Sequence, residues 1–153
     1  MSQHDSLLVS GDVRSIEDVE AGEQIETGSL IEFNAAGDAI KHDDADEQAA
    51  AWFAAPSPAS GLTLEDDIEN DDALQVEIFE SGSRHQARVI HNTDINGGAA
   101  LVSNGDGSLK AYGAQSTGEG DTVETGNVVA YAPPEGIDTG DETAATLQEV
   151  IAR

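Results

Sequence analysis

Short apolar runs and Asn- or Gly-centred turns recur in the same order in the two halves of this 153-residue chain. GSLIEFNAAG (28–37) matches GAALVSNGDG (98–107), setting Gly28, Asn34 and Gly37 against Gly98, Asn104 and Gly107. Ile40-Lys41 then matches Leu109-Lys110, Ala55-Pro56 matches Ala132-Pro133, and LQVEIF (74–79) matches LQEVIA (147–152). Asp18-Val19-Glu20-Ala21-Gly22 and Asp94-Ile95-Asn96-Gly97-Gly98 open the series. Each match alone is weak, but their collinearity implies one small β-unit present twice, over about 7–80 and 84–153. The chain accordingly divides into an N-terminal arm (1–9), a first β-half (10–83) and a second (84–153), the halves free to pack as one compact domain.

A closer match lies out of register with that series. GEQIETGSLIEF (22–33) and GDTVETGNVVAY (120–131) share Gly, an acid, a β-branched residue and Glu-Thr-Gly, followed by an apolar pair and an aromatic. Each reads as two strands joined by a Gly-centred hairpin. The second copy begins 98 residues after the first, against about 70–77 for the collinear blocks. It is therefore a local device used at two points rather than the unit that was copied.

The predicted fold class is all-β, a small β-barrel architecture with short hairpins and acidic loops. Strand candidates are LIEF, AIKH, WFA, LQVEIF, HQARVI, ALV, SLKAY, NVVAY and LQEVIA. Asn34 to Gly37 and Asn104 to Gly107 are hairpin tips, where Asn, Asp and Gly tolerate positive φ. Residues 46–55 could hold a turn or two of helix, limited by Pro56 and Pro58. Residues 142–153 suit a helix as well as a strand, and the repeat match favours the strand. The acidic stretches 42–47, 65–72, 116–121 and 136–142 read as solvated loops.

Charge sets the environment. Thirty-one acids face six Lys and Arg, a net charge of −25. Such a chain repels itself in dilute buffer, and high charge with few aromatics is also the signature of disorder. The apolar β-type runs between the acids favour instead a folded protein with a halophile's surface, stable where salt screens the repulsion. Arg14, Lys41, Arg84, Arg88, Lys110 and Arg153 are scattered, so no basic patch is available for nucleic acid or an anionic membrane. No apolar run is long enough for a transmembrane helix, and the N-terminus lacks a signal-peptide pattern. The absence of cysteine removes disulfides, thiolate metal sites and thiol nucleophiles.

No catalytic constellation stands out. Paired carboxylates are inevitable among so many acids, and no GxSxG turn marks a serine. His4, His42, His85 and His91 show no metal-ligand spacing. NGDG (104–107) resembles the start of a calcium loop but lacks its later acids, and EDDIENDD (65–72) could hold a cation only weakly. The expectation is a non-enzyme with no cofactor and no metal. Two charge-poor segments are the candidate partner-binding surfaces. Residues 48–64 carry Trp52, Phe53, Pro56 and Pro58, and read either as a core strand entering a Pro-rich turn or as an apolar docking patch. Leu7, Leu8 and Val9 could add as an edge strand to a neighbour.

The order of blocks is also that of a known family. Gly28 to Lys41, Leu74 to Gly82, Asn104 to Tyr112 and Val128 to Ala132 resemble the β-barrel decoration, or head-stabilising, proteins of tailed-virus capsids. The resemblance runs from about 20 to 153 and rests on turn chemistry; the WFAAPSPAS stretch departs from it by lacking the usual charged residues. It implies a structural protein assembled in the cytoplasm of a halophilic host. Such a protein sits on the outer face of the virion, bound to the major capsid protein and associated as a homotrimer. The alternative is a halophilic β-barrel binding module, for a ligand or cation, unrelated to capsids.

Overall fold

The structure is a computed structural model that describes residues 6–112 and 127–153. The fold is all-β, with no α-helix among the described residues. The strands are β1 (Leu8–Ser10), β2 (Val13–Glu20), β3 (Ile25–Glu26), β4 (Ile31–Phe33), β5 (Ala39–Lys41), β6 (Trp52–Pro56), β7 (Asp67–Ile68) and β8 (Ala73–Phe79). They continue as β9 (Arg84–Val89), β10 (Asp94–Ile95), β11 (Ala100–Ser103), β12 (Leu109–Ala111), β13 (Ala130–Tyr131), β14 (Ile137–Asp138) and β15 (Thr146–Ala152). Each of the nine strand candidates overlaps one of these elements.

The later strands close a five-stranded barrel in the order β9, β15, β13, β11, β12 and back to β9. Its seam is the parallel pairing of Leu109 with Val89; the other neighbours are antiparallel. The earlier strands take the same neighbours in the same order. β8 pairs antiparallel with β2, with a bulge between Ile16 and Val19, and with β6, and β4 and β5 form a hairpin. Single bridges complete that ring, Leu30 to Phe53 antiparallel and Ala21 to Ala39 parallel. A two-residue ladder accompanies each ring, β3 with β7 (Ile25 opposite Ile68) and β10 with β14 (Ile95 opposite Ile137).

Several sequence expectations are corrected. Residues 22–33 do not form a hairpin, because β3 pairs with β7 and β4 with β5. Thr27-Gly28 is instead a corner where the chain leaves one small ladder and enters the ring, with Gly28 at φ +90° and its N–H donating to the Ala54 carbonyl (2.8 Å). GDTVETG (120–126) and the acidic stretch 116–121 lie outside the described residues. Residues 46–55 form no helix; β6 begins at Trp52, where pairing with β8 satisfies the backbone. Asp18 to Glu20 lie in β2, so Ile25 rather than Val19 occupies the place of Ile95. The acidic stretches 65–72 and 136–142 are not wholly solvated either, since Ile68 and Ile137 are buried anchors within them.

Two apolar clusters fill the rings. Val19, Ile25, Ile31, Ala54, Ile68, Leu74 and Val76 belong to the first. The second gathers Val89, Leu101, Leu109, Val129 and Val150, and also takes Leu30, Phe53 and Phe79 from the earlier strands. The first half of the chain therefore contributes side chains to both clusters. His85 lies fully buried beside them, stacked on Phe79 with ring centroids 3.8 Å apart. Its Nε2 has no hydrogen-bond partner among the described residues, and burial pushes the imidazole down to about 4, so it is neutral near pH 7.

Candidate functional site

The segments expected to reach a partner are largely occupied by the chain's own fold. β1 pairs antiparallel with β9, with Leu8 opposite His85, so the edge-strand addition expected of residues 7–9 takes place within the chain. Leu7 is fully buried, and its carbonyl accepts the Gln86 N–H (2.8 Å). The buried Glu77 carboxylate fixes this segment by accepting the Leu7 N–H (2.9 Å) and the Ser6 hydroxyl (2.7 Å). Leu8 is half-buried, and Val9 is exposed at 49%. In the charge-poor stretch, Phe53 and Pro56 are buried in β6. Trp52 is half-buried, its ring edge-on to Phe33 at 5.3 Å, and Pro58 is exposed. The seven residues therefore do not form one exposed patch. Core strand and turn account for most of 48–64.

A concave polar site lies elsewhere, where β3 to β5 meet β9 and the β11–β12 hairpin. It encloses about 490 Å³, and Glu26, Lys41, Arg88, His91 and Asp106 line it. Two of the chain's six Lys and Arg therefore meet in one cleft.

The backbone builds this cleft. The Arg88 N–H donates to the Gly28 carbonyl (2.9 Å), and the Leu30 N–H to the Gly107 carbonyl (2.7 Å). These bonds dock the Thr27-Gly28 corner and the tip of the β11–β12 hairpin across the junction. A Cβ on Gly28 would come within 2.3 Å of Leu147 Cδ2, and one on Gly107 within 3.1 Å of Lys41 and Ser29. At both places glycine leaves room for a neighbouring side chain, in addition to suiting their positive φ.

The charges in the cleft are unequally matched. Lys41 Nζ lies 3.5 Å from Glu26 Oε2. Asp106 is held below the ordinary carboxylate range: partial desolvation would raise it, but hydrogen bonds from Ser108 and Asn104 and the charge of Lys41 outweigh that. Arg88 is half-buried on β9. Its Nε donates to the Thr27 carbonyl (2.7 Å) and its Nη1 to the Ala145 carbonyl (3.3 Å). Among the described residues no carboxylate lies within ion-pair distance of it, although Glu26 and Asp67 act on it from farther away. Burial therefore lowers its pKa, with those two acids opposing the shift.

Comparison with known proteins identifies the architecture. Neither protein-family models nor curated proteins give a match. The chain is similar in fold to the N base of head fiber gp8.5 in bacteriophage phi29, at TM-score 0.55 and 14% identity. The likeness covers 93% of this chain and 95% of that one. At that identity it is a likeness of fold, consistent with the capsid-associated β-barrels that the turn pattern resembles.

The cleft carries no sequence motif. Lys41 and Arg88 come from different halves of the chain, and neither neighbourhood looks unusual by itself. The one available signal was scarcity: with six cations among 31 acids, each could be asked which acid it serves.

Proposed function

We propose that this chain is a non-enzymatic structural protein of a virion, seated on the outer face of the major capsid lattice and stabilising it. The observation that carries this reading is the end-to-end fold likeness to the base of a phage head fiber, spanning more than nine-tenths of both chains. The decoration-protein turn pattern, met independently in the sequence, points the same way. Self-association as a homotrimer belongs to this proposal, as does a halophilic host in whose cytoplasm the particle assembles.

The candidate capsid contacts are the exposed Val9 and Pro58 and the half-buried Leu8 and Trp52, whereas Leu7, Phe53 and Pro56 are buried in the chain's own fold. A capsid from the same high-salt setting is expected to be acidic as well, so docking rests on apolar contact and screening rather than on charge attraction. The test is quantitative mass spectrometry of density-purified virions before and after desalting. Stoichiometric copies that leave at low salt before the shell opens fit the proposal. Absence from virions, or retention after desalting, contradicts it.

A second reading, a β-barrel binding module, is favoured by one observation, the cleft lined by Arg88 and Lys41. It predicts saturable binding of a ligand there in the isolated protein. The two readings are compatible, because a capsid-bound protein can also carry a ligand site.

A further inference from the structure

We propose that the cleft between the β3–β5 region and the β9–β12 region is a binding site for a single carboxylate group, received by Arg88 and Lys41. The inference holds whether or not the chain belongs to a virion.

Arg88 is the anomaly from which it starts. In a chain with five acids for every base, a half-buried guanidinium would be expected to take a carboxylate partner, yet among the described residues none lies within 4 Å. Its bonds to the Thr27 and Ala145 carbonyls give it a bracing role across the junction. That role uses two of the five N–H donors of a guanidinium and leaves it, among the described residues, without a carboxylate in contact; Glu26 and Asp67 act on it only from farther away. Lys41 lines the same cleft, and its contact with Glu26 engages one of three ammonium donors. The Ser29 hydroxyl lies alongside and makes no hydrogen bond among the described residues.

The other groups in the cleft define the ligand. Glu26 faces Lys41, and Asp106 is held by Ser108 and Asn104, so neither acid contacts Arg88. The two resident acids repel a doubly charged phosphate or sulfate more strongly than a singly charged carboxylate, which can pair directly with Arg88. A carboxylate also matches the planar donor fork of arginine. The volume of about 490 Å³ accommodates a glutamate side chain with part of its backbone. The carboxylate could be supplied by a free small acid or by an acidic side chain of a partner protein.

The experiment is an NMR titration of the ¹⁵N-labelled full chain in about 2 M KCl, following the Arg88 Nε–H and backbone amide and the Lys41 amide. The probes are butyrate, acetyl-Gly-Glu-Gly-amide, the corresponding Gln peptide and inorganic sulfate. Saturable shifts with the two carboxylates, absent with the Gln peptide and weaker with sulfate, are expected. Tighter binding of the Glu peptide than of butyrate assigns the site to a protein partner, and the reverse to a free acid. Arg88→Gln should weaken binding by roughly tenfold or more, with Arg88→Lys in between. Because Arg88 also braces the junction, Lys41→Gln is the second variant; it leaves the Thr27 and Ala145 bonds in place and should weaken binding by about threefold. Equal response to the Glu and Gln peptides, no saturation, or unchanged binding in both Arg88→Gln and Lys41→Gln overturns the proposal.

Discussion

The two rings share one pairing order but are not equally built. The β9–β15 ring closes through hydrogen-bonded ladders and gains an extra strand, β1, which brings Leu7 into its core. The β2–β8 ring closes through two single bridges and has a smaller apolar cluster. The repeated glycines reveal a second asymmetry. Gly28 is crowded while its counterpart Gly98 faces open space, and Gly107 is crowded while Gly37 is open. All four have positive φ. Turn chemistry explains why glycine occurs at each matched pair, and docking across the junction explains why a Cβ would meet a neighbouring side chain at only one member of each pair. Related β-units can thus keep the same turns while their interface uses different parts of each.

The largest effect should come from removing salt. Repulsion among 31 acids should unfold the chain in dilute buffer, beginning with the lightly closed first ring, where Glu17, Asp18 and Glu20 lie on the exposed strand β2. Hydrogen exchange during stepwise desalting should show β2 amides losing protection before those of β9 and β15. Simultaneous loss would break the comparison, and an unchanged circular dichroism spectrum in dilute buffer would remove the halophilic premise. Next is Phe53→Ala. Phe53 lies on a strand of the first ring but packs in the second cluster, so its truncation should cost about 4 kcal/mol and loosen both rings, measured by denaturant titration in high salt.

Somewhat smaller is the effect of His85. Its folded pKa of about 4 lies below the unfolded value of about 6.5, so the unfolded state binds the additional proton across that window. The contribution is complete above pH 6.5 and is lost as pH falls towards 4, by about 3 kcal/mol. Stability measured against pH for wild type and His85→Phe should diverge over this window, because Phe cannot titrate. Parallel curves would contradict the account. The smallest effects separate the glycine pairs. Gly98→Ala should cost about 1 kcal/mol from positive φ alone, whereas Gly28→Ala should cost about 2 to 3 kcal/mol, because its Cβ must also displace Leu147. Equal melting shifts would mean the junction is not tight at Gly28.

What the sequence made legible follows from how strongly each element marks it. LQVEIF and LQEVIA alternate and carry turn signals at their flanks, so β8 and β15 were readable. β2 was missed because VRSIEDVE has only Val19 buried and bulges at Asp18, whose φ is +59°, which interrupts the alternation. The ladders β3–β7 and β10–β14 are two residues long, too short for periodicity to register, and each rests on one buried Ile per strand. Residues 7–9 read as an edge strand for a neighbour, and β1 pairs instead with β9, because a sequence does not say whether the receiving edge belongs to the same chain. The cleft was not legible at all, because Arg88 and Lys41 become neighbours only when the Thr27-Gly28 corner docks on β9.

The most direct test of the central claim is a cryo-electron microscopy reconstruction of virions purified in high salt. The account predicts density for this two-ring barrel on the outer surface of the shell, with Val9, Trp52 and Pro58 turned towards the capsid subunits. A fully resolved outer surface without that density, or the chain found inside the shell, would contradict it.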